Sequence, residues 1–181
     1  YNTVSPSMDI LISSNLERLL YLLSGGDDKL VAGYMKELSD TGCYQVSEEM
    51  RKKIQSVFVG GFSSEAETEA TIGKMMDEHK YLIDTHTAVA FHVLEQYRKE
   101  TGDQTKTVVA STASPFKFCD AVLDALNVTD KATGTALLDQ LAEVSGMPAP
   151  QPLATLKDKQ VRFTSWTEKE QMRAVVTDFL K

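Results

Sequence analysis

The sequence predicts an α/β fold in which helices dominate and strands are few. Three observations predict it. Apolar residues recur at i, i+3, i+4 and i+7 through several segments, each cut by Gly or Pro. One short β-branched run, Lys106 to Thr112 (KTVVAST), has the composition of a buried parallel strand. Ser114-Pro115 follows it directly as a helix start, with Ser at the N-cap and Pro at the first helical position.

Each element has its own signal. Ser5-Pro6-Ser7 opens a turn, because Pro fixes its own φ and biases the residue before it toward extended geometry. A helix from Ser14-Asn15 places Leu16, Leu19, Leu20 and Leu23 on one face, and Gly25-Gly26 stops it. Asp27-Asp28 starts a second helix with Leu30, Val31, Tyr34 and Leu38 inward and Gly42 as terminator. Ser47, followed by Glu48 and Glu49, starts a third with Met50, Ile54 and Val57 inward. Val57, Phe58 and Val59 read as a short strand before the joint at Gly60-Gly61.

Ser64 with Glu67 has capping-box spacing, and the helix it starts is expected to pack through Ala66, Ala70 and Met75. Tyr81, Leu82 and Ile83 form a short extended segment. Asp84 or Thr85 then caps a helix through Val89, Val93 and Tyr97, ending at Gly102. The helix begun at Ser114 carries Phe118, Val122, Leu123 and Leu126, and the next carries Leu137, Leu138, Leu141 and Val144 up to Gly146. Pro148, Pro150 and Pro152 mark a linker, after which a last helix is expected to pack through Met172, Val175, Val176 and Phe179. The expected division is residues 1–146 as part of an α/β domain and 147–181 as linker and terminal helix.

Composition narrows the function. The chain has 181 residues, 42% hydrophobic and 25% charged, with a net charge of -7. The apolar share supports a packed core rather than disorder. The acidic balance lacks the clustered Lys and Arg of a nucleic-acid surface, and no apolar run reaches the ~20 residues of a membrane span. Cys43 and Cys119 are far apart and form no CxxC, which argues against a disulfide scaffold or a cysteine zinc site and points to the cytoplasm. The opening YNTVSPSMDI has no initiator Met, and the strand count is low for a complete sheet. The first fits processing as well as a piece of a longer polypeptide; the second favours the piece.

Little of the sequence carries chemistry by spacing alone. His79, His86 and His92 are seven and six residues apart, unlike the i, i+3 or i, i+4 pairs that share a metal on a helix. Asp84 and His86 are near enough to pair in a turn, although capping is the plainer role for that aspartate. The Gly pairs fit neither a dinucleotide nor a P-loop pattern. Asn127-Val128-Thr129 matches a glycosylation sequon without further support, and Cys119 reads as a buried thiol rather than an activated one.

Two polar constellations remain. In VVASTASPFKF, Ser111 and Thr112 sit where the expected strand ends and a helix begins, the place where open α/β sheets bind ligands. Structural roles for Ser114 and Thr112 account for the same spacing. In SPSMDI followed by SSNLER, Ser5, Ser7, Asp9, Ser13, Ser14 and Asn15 either line a site or serve as turn and cap residues.

Taken in order, SPSMDILISSNLERLLY, YLIDTHTAVAF and VVASTASPFKF resemble the C-terminal part of threonine synthase, a fold-type-II pyridoxal-phosphate enzyme. The resemblance runs from Ser5 to about Asn127. It implies part of the large domain of that fold, and conversion of O-phospho-L-homoserine and water to L-threonine and phosphate with pyridoxal phosphate as cofactor. It places Thr112 against the pyridine nitrogen, supported by Ser111. No residue of this chain is implied to be catalytic. The lysine that anchors the cofactor as a Schiff base lies upstream of SPSMDI in the family, so this chain is expected to need that N-terminal part and to be inactive alone. Thr85 stands where the family has Pro, and Ser114 where it has His. Another fold-type-II lyase, or a helical binding module without catalysis, are the alternative readings.

Overall fold

A computed structural model describes residues 2–181; Tyr1 lies outside the described residues. The chain divides into two compact units, up to Lys131 and from Ala132 onward.

The first unit opens with a single 3₁₀ turn, Pro6–Met8, with Pro at its start. Helices α1 (Ser14–Leu23), α2 (Asp28–Thr41) and α3 (Glu48–Gln55) follow. Their N-caps are Ser13, Asp27 and Ser47, each accepting a backbone N–H from three residues on, as short polar side chains do at helix starts. Leu20, Val31, Tyr34 and Met50 make their shared core, with Leu23, Met35, Tyr44, Val46 and Ile54 around it. The rings of Tyr34 and Tyr44 stack with centroids 5.4 Å apart.

The second layer of this unit consists of α4 (Glu65–His79), α5 (Thr85–Thr101) and α6 (Cys119–Ala125), with α4 packed on both others. Ile72, Leu82, Ile83, Phe116, Val122 and Leu123 are buried in it. Gly73 allows the closest approach: a Cβ there would lie 3.1 Å from the Ala125 carbonyl oxygen of α6. The capping box at Ser64 and Glu67 forms in full. Ser64's hydroxyl and amide hold the Glu67 carboxyl below its usual range. The box therefore stabilises α4 above the unfolded carboxylate pKa, and that contribution is lost only as pH falls through the lowered folded value. Ser64→Ala is expected to reduce unfolding free energy by about 1 kcal/mol, measured by urea titration.

The structure corrects the sequence reading in several places. α4 does not pack through Ala66 and Ala70, which are exposed; it buries Thr68, Thr71 and Ile72. Burial is possible because Thr68 and Thr71 donate their hydroxyls to the carbonyls of Ser64 and Glu67, four residues back. Val57 is not an inward residue: α3 ends at Gln55, and Val57, Phe58 and Val59 are exposed without forming a strand.

Among the described residues no strand forms at all, so the few strands expected of the α/β class are not seen. Residues 106–112 have no regular structure, and Val108 is 96% exposed. A strand is defined by a ladder of backbone hydrogen bonds, and no described segment supplies a partner for this one. The helix expected from Ser114 is instead a 3₁₀ turn, Pro115–Lys117, with Ser114 as its N-cap, followed by α6.

The second unit comprises α7 (Ala136–Ser145), a short α8 (Gln151–Ala154), two 3₁₀ turns and α9 (Met172–Phe179). Lys157 bonds Asp139 at 2.9 Å, tying the turn after α8 to α7. Met172, Val175, Val176 and Phe179 are all exposed, so the packing expected of this helix is not made among the described residues.

Candidate functional site

The start of α5 brings three distant segments together. Asp84 is fully buried and is the N-cap of α5, as expected. Its Oδ1 accepts the backbone N–H of His86 at 2.9 Å and that of Thr87 at 3.4 Å. An N-cap side chain folds back over the first helical turn, and this carries the carboxyl onto the side chains of the same turn. Oδ1 lies 3.0 Å from His86 Nδ1, and Oδ2 bonds the Thr87 hydroxyl.

The other side of the His86 ring decides its tautomer. Nε2 accepts the backbone N–H of Ser7 at 3.1 Å, across 79 residues of sequence. An imidazole that accepts at Nε2 carries its proton on Nδ1, so Nδ1–H donates to Asp84. Thr85 Oγ1 is 3.4 Å from Nδ1, and the Phe118 ring tilts against the imidazole with centroids 4.8 Å apart. His86 and Asp84 are both buried, a pairing that their spacing in the sequence does not favour. Two residues apart is poor spacing on a helix but good spacing across a cap.

The third segment is the one that ends at Thr112. Thr87 and Ser111 join through their hydroxyl oxygens at 3.1 Å. Ser111 and Thr112 are both exposed, and Thr112 Oγ1 makes no hydrogen bond among the described residues. Ser114 is bonded within its own turn, accepting the Phe116 N–H at 3.3 Å.

The two halves of the N-terminal constellation separate. Ser7 joins the site, and Asp9 holds the same segment by accepting from the Thr3 amide at 2.7 Å and the Thr3 hydroxyl at 2.8 Å. Those bonds, the amide first, keep the Asp9 carboxyl below its usual range. The segment is further tied to α4, with Val4 N–H donating to Glu65 at 3.0 Å. Ser13 and Asn15 serve α1 instead, as N-cap and as a bond to Arg18. A cleft of about 600 Å³ between α1 and α2 is lined by Glu17, Arg18, Tyr21 and Asp28, away from Ser111 and Thr112.

Cys119 is buried and donates to the Phe116 carbonyl, and burial pushes its thiol pKa up, which makes it inert at neutral pH. No group of His, Cys, Asp or Glu among the described residues is arranged to hold a metal ion. No helix among them is long and apolar enough to cross a membrane.

Residues 87–176 match the family model described as threonine synthase, C-terminal. The chain belongs to the threonine synthase family. Threonine synthase of Saccharomyces cerevisiae is 37% identical over 139 residues, covering 69% of this chain and 27% of the yeast protein. Threonine synthase-like 1 of Macaca fascicularis is 34% identical over 147 residues, covering 81% of this chain and 19% of that protein. The crystal structure of PLP-bound threonine synthase from Brucella melitensis aligns over 99% of this chain and 34% of its own, with TM-score 0.76 and 33% identity. The chain thus spans about a fifth to a third of these threonine synthase relatives. Thr87, Ser111 and Thr112 lie within the residues that the family model matches.

Proposed function

We propose that this chain contributes the ring-nitrogen end of a pyridoxal-phosphate site in a threonine synthase that converts O-phospho-L-homoserine and water to L-threonine and phosphate. The single observation that carries the reading is the exposed Thr112 hydroxyl. Among the described residues it makes no hydrogen bond, while its neighbour Ser111 is bonded to Thr87. That arrangement fits a heteroaromatic nitrogen, which needs one polar partner and little space. Membership of the threonine synthase family and the likeness to a PLP-bound relative support the cofactor assignment.

Bound pyridoxal phosphate supplies an electron sink for carbanion character next to the substrate amine. The contribution of this chain is positional and electronic. Thr112 offers a neutral hydroxyl, which hydrogen-bonds a ring nitrogen without supplying the negative charge that would keep it protonated. Ser111 is fixed by Thr87 and braces the backbone on which Thr112 is carried. The anchoring lysine is proposed to come from the remainder of a threonine synthase polypeptide, of which this chain covers a minor share. Cys43 and Cys119 are not joined in a disulfide, which suits a cytoplasmic setting.

The test is product analysis with the full-length protein. O-phosphohomoserine should give threonine and phosphate in equal amounts, and O-phosphoserine should give neither quickly. Preferential turnover of O-phosphoserine would reassign the protein to another fold-type-II lyase, and no turnover of either would overturn the reading.

A further inference from the structure

We infer that Asp84 is the positioning residue of this site, each of its two oxygens holding one wall: through His86 it seats the Ser5–Met8 segment, and through Thr87 it seats Ser111 beside Thr112. The inference rests on the functional reading above and extends it to residues that touch neither cofactor nor substrate.

The geometry carries it. Asp84 is fully buried, so its hydrogen bonds have no competing water. Oδ1 accepts from His86 Nδ1, which leaves Nε2 free to accept the Ser7 amide at 3.1 Å. Without the carboxyl, only Thr85 Oγ1, at a longer 3.4 Å, is left to select the Nδ1–H tautomer, and an Nε2–H tautomer would point a donor at the Ser7 N–H. Oδ2 meets the Thr87 hydroxyl, which also reaches Ser111 at 3.1 Å. A helix cap alone requires only the backbone bonds to His86 and Thr87. The two side-chain bonds are additional, and both lead out of α5 to segments at its mouth. Ser5 is itself buried, so the first segment has a fixed seat rather than a loose contact.

The two arms separate experimentally in full-length holoenzyme. His86→Leu should speed hydrogen exchange at the Ser7 amide about two- to tenfold, the size of one lost neutral hydrogen bond, with His86→Gln restoring protection. Thr87→Val should leave Ser7 protected and raise the dissociation constant for pyridoxal phosphate about tenfold, with Thr87→Ser restoring affinity. Asp84→Asn keeps an oxygen for the cap and should disturb both readouts if it folds; the His86 and Thr87 pairs decide the matter if it does not. Unchanged Ser7 exchange in His86→Leu, or unchanged cofactor affinity in Thr87→Val, would overturn the inference while leaving the function standing. A wild-type protein that takes up no pyridoxal phosphate would overturn the functional reading and the Ser111 arm with it, whereas the exchange result at Ser7 needs no cofactor.

Discussion

Thr112→Val in the cofactor-loaded full-length enzyme is expected to lower kcat about 100-fold, the scale of losing one positioned hydrogen-bonding group at a site of developing charge. Thr112→Ser should retain most of the activity. Val matches Thr in shape and removes only the hydroxyl, so the comparison isolates the polar group. The residue is exposed and makes no hydrogen bond among the described residues, so folding stability should change little. Steady-state kinetics and thermal unfolding on the same samples check both halves. A Val variant as active as wild type would remove Thr112 from the site.

Asp84→Ala is expected to cost about 3 kcal/mol of unfolding free energy, read from the urea midpoint. The carboxyl is fully buried and accepts from the amides of His86 and Thr87, from the imidazole and from the Thr87 hydroxyl. Loss of the cap contributes about 1 kcal/mol, and the buried donors left unpaired contribute about 1–3 kcal/mol more, part of it recovered by entering water. A loss below about 0.5 kcal/mol, the level of ordinary surface substitutions, would mean that the carboxyl is not seated as described.

What the sequence made legible was local. Ser64 with Glu67, Asp84 before Thr85, and Gly42 and Gly102 at helix ends all act within a turn or two of themselves, and all are found in those roles. Gly42 and Gly102 have φ of 81° and 73°, in the left-handed region that glycine enters without a steric penalty. The KTVVAST run shows the limit of the same logic. β-branched composition records what a segment tolerates, but a strand exists only when a distant segment pairs with it. Apolarity by residue type favours Ala66 and Ala70 for the inward face of α4, yet both are exposed. Thr68 and Thr71 can satisfy their hydroxyls within the helix and then pack as small branched side chains.

The site was half legible for the same reason. Ser111 and Thr112 stand out in the strand–turn–helix pattern and in the family resemblance. The bond from the Ser7 amide to His86 spans 79 residues and leaves no mark in local spacing. Asp84 was readable as a cap; its two outward connections became visible only once Ser7 and Ser111 were placed against α5.

The most direct test of the central claim is the ¹⁵N chemical shift of the pyridine nitrogen, measured with ring-labelled pyridoxal phosphate in the full-length holoenzyme. A hydroxyl partner at Thr112 predicts a neutral, hydrogen-bonded nitrogen whose shift moves in Thr112→Val. A protonated nitrogen, or a shift indifferent to that substitution, would contradict the account.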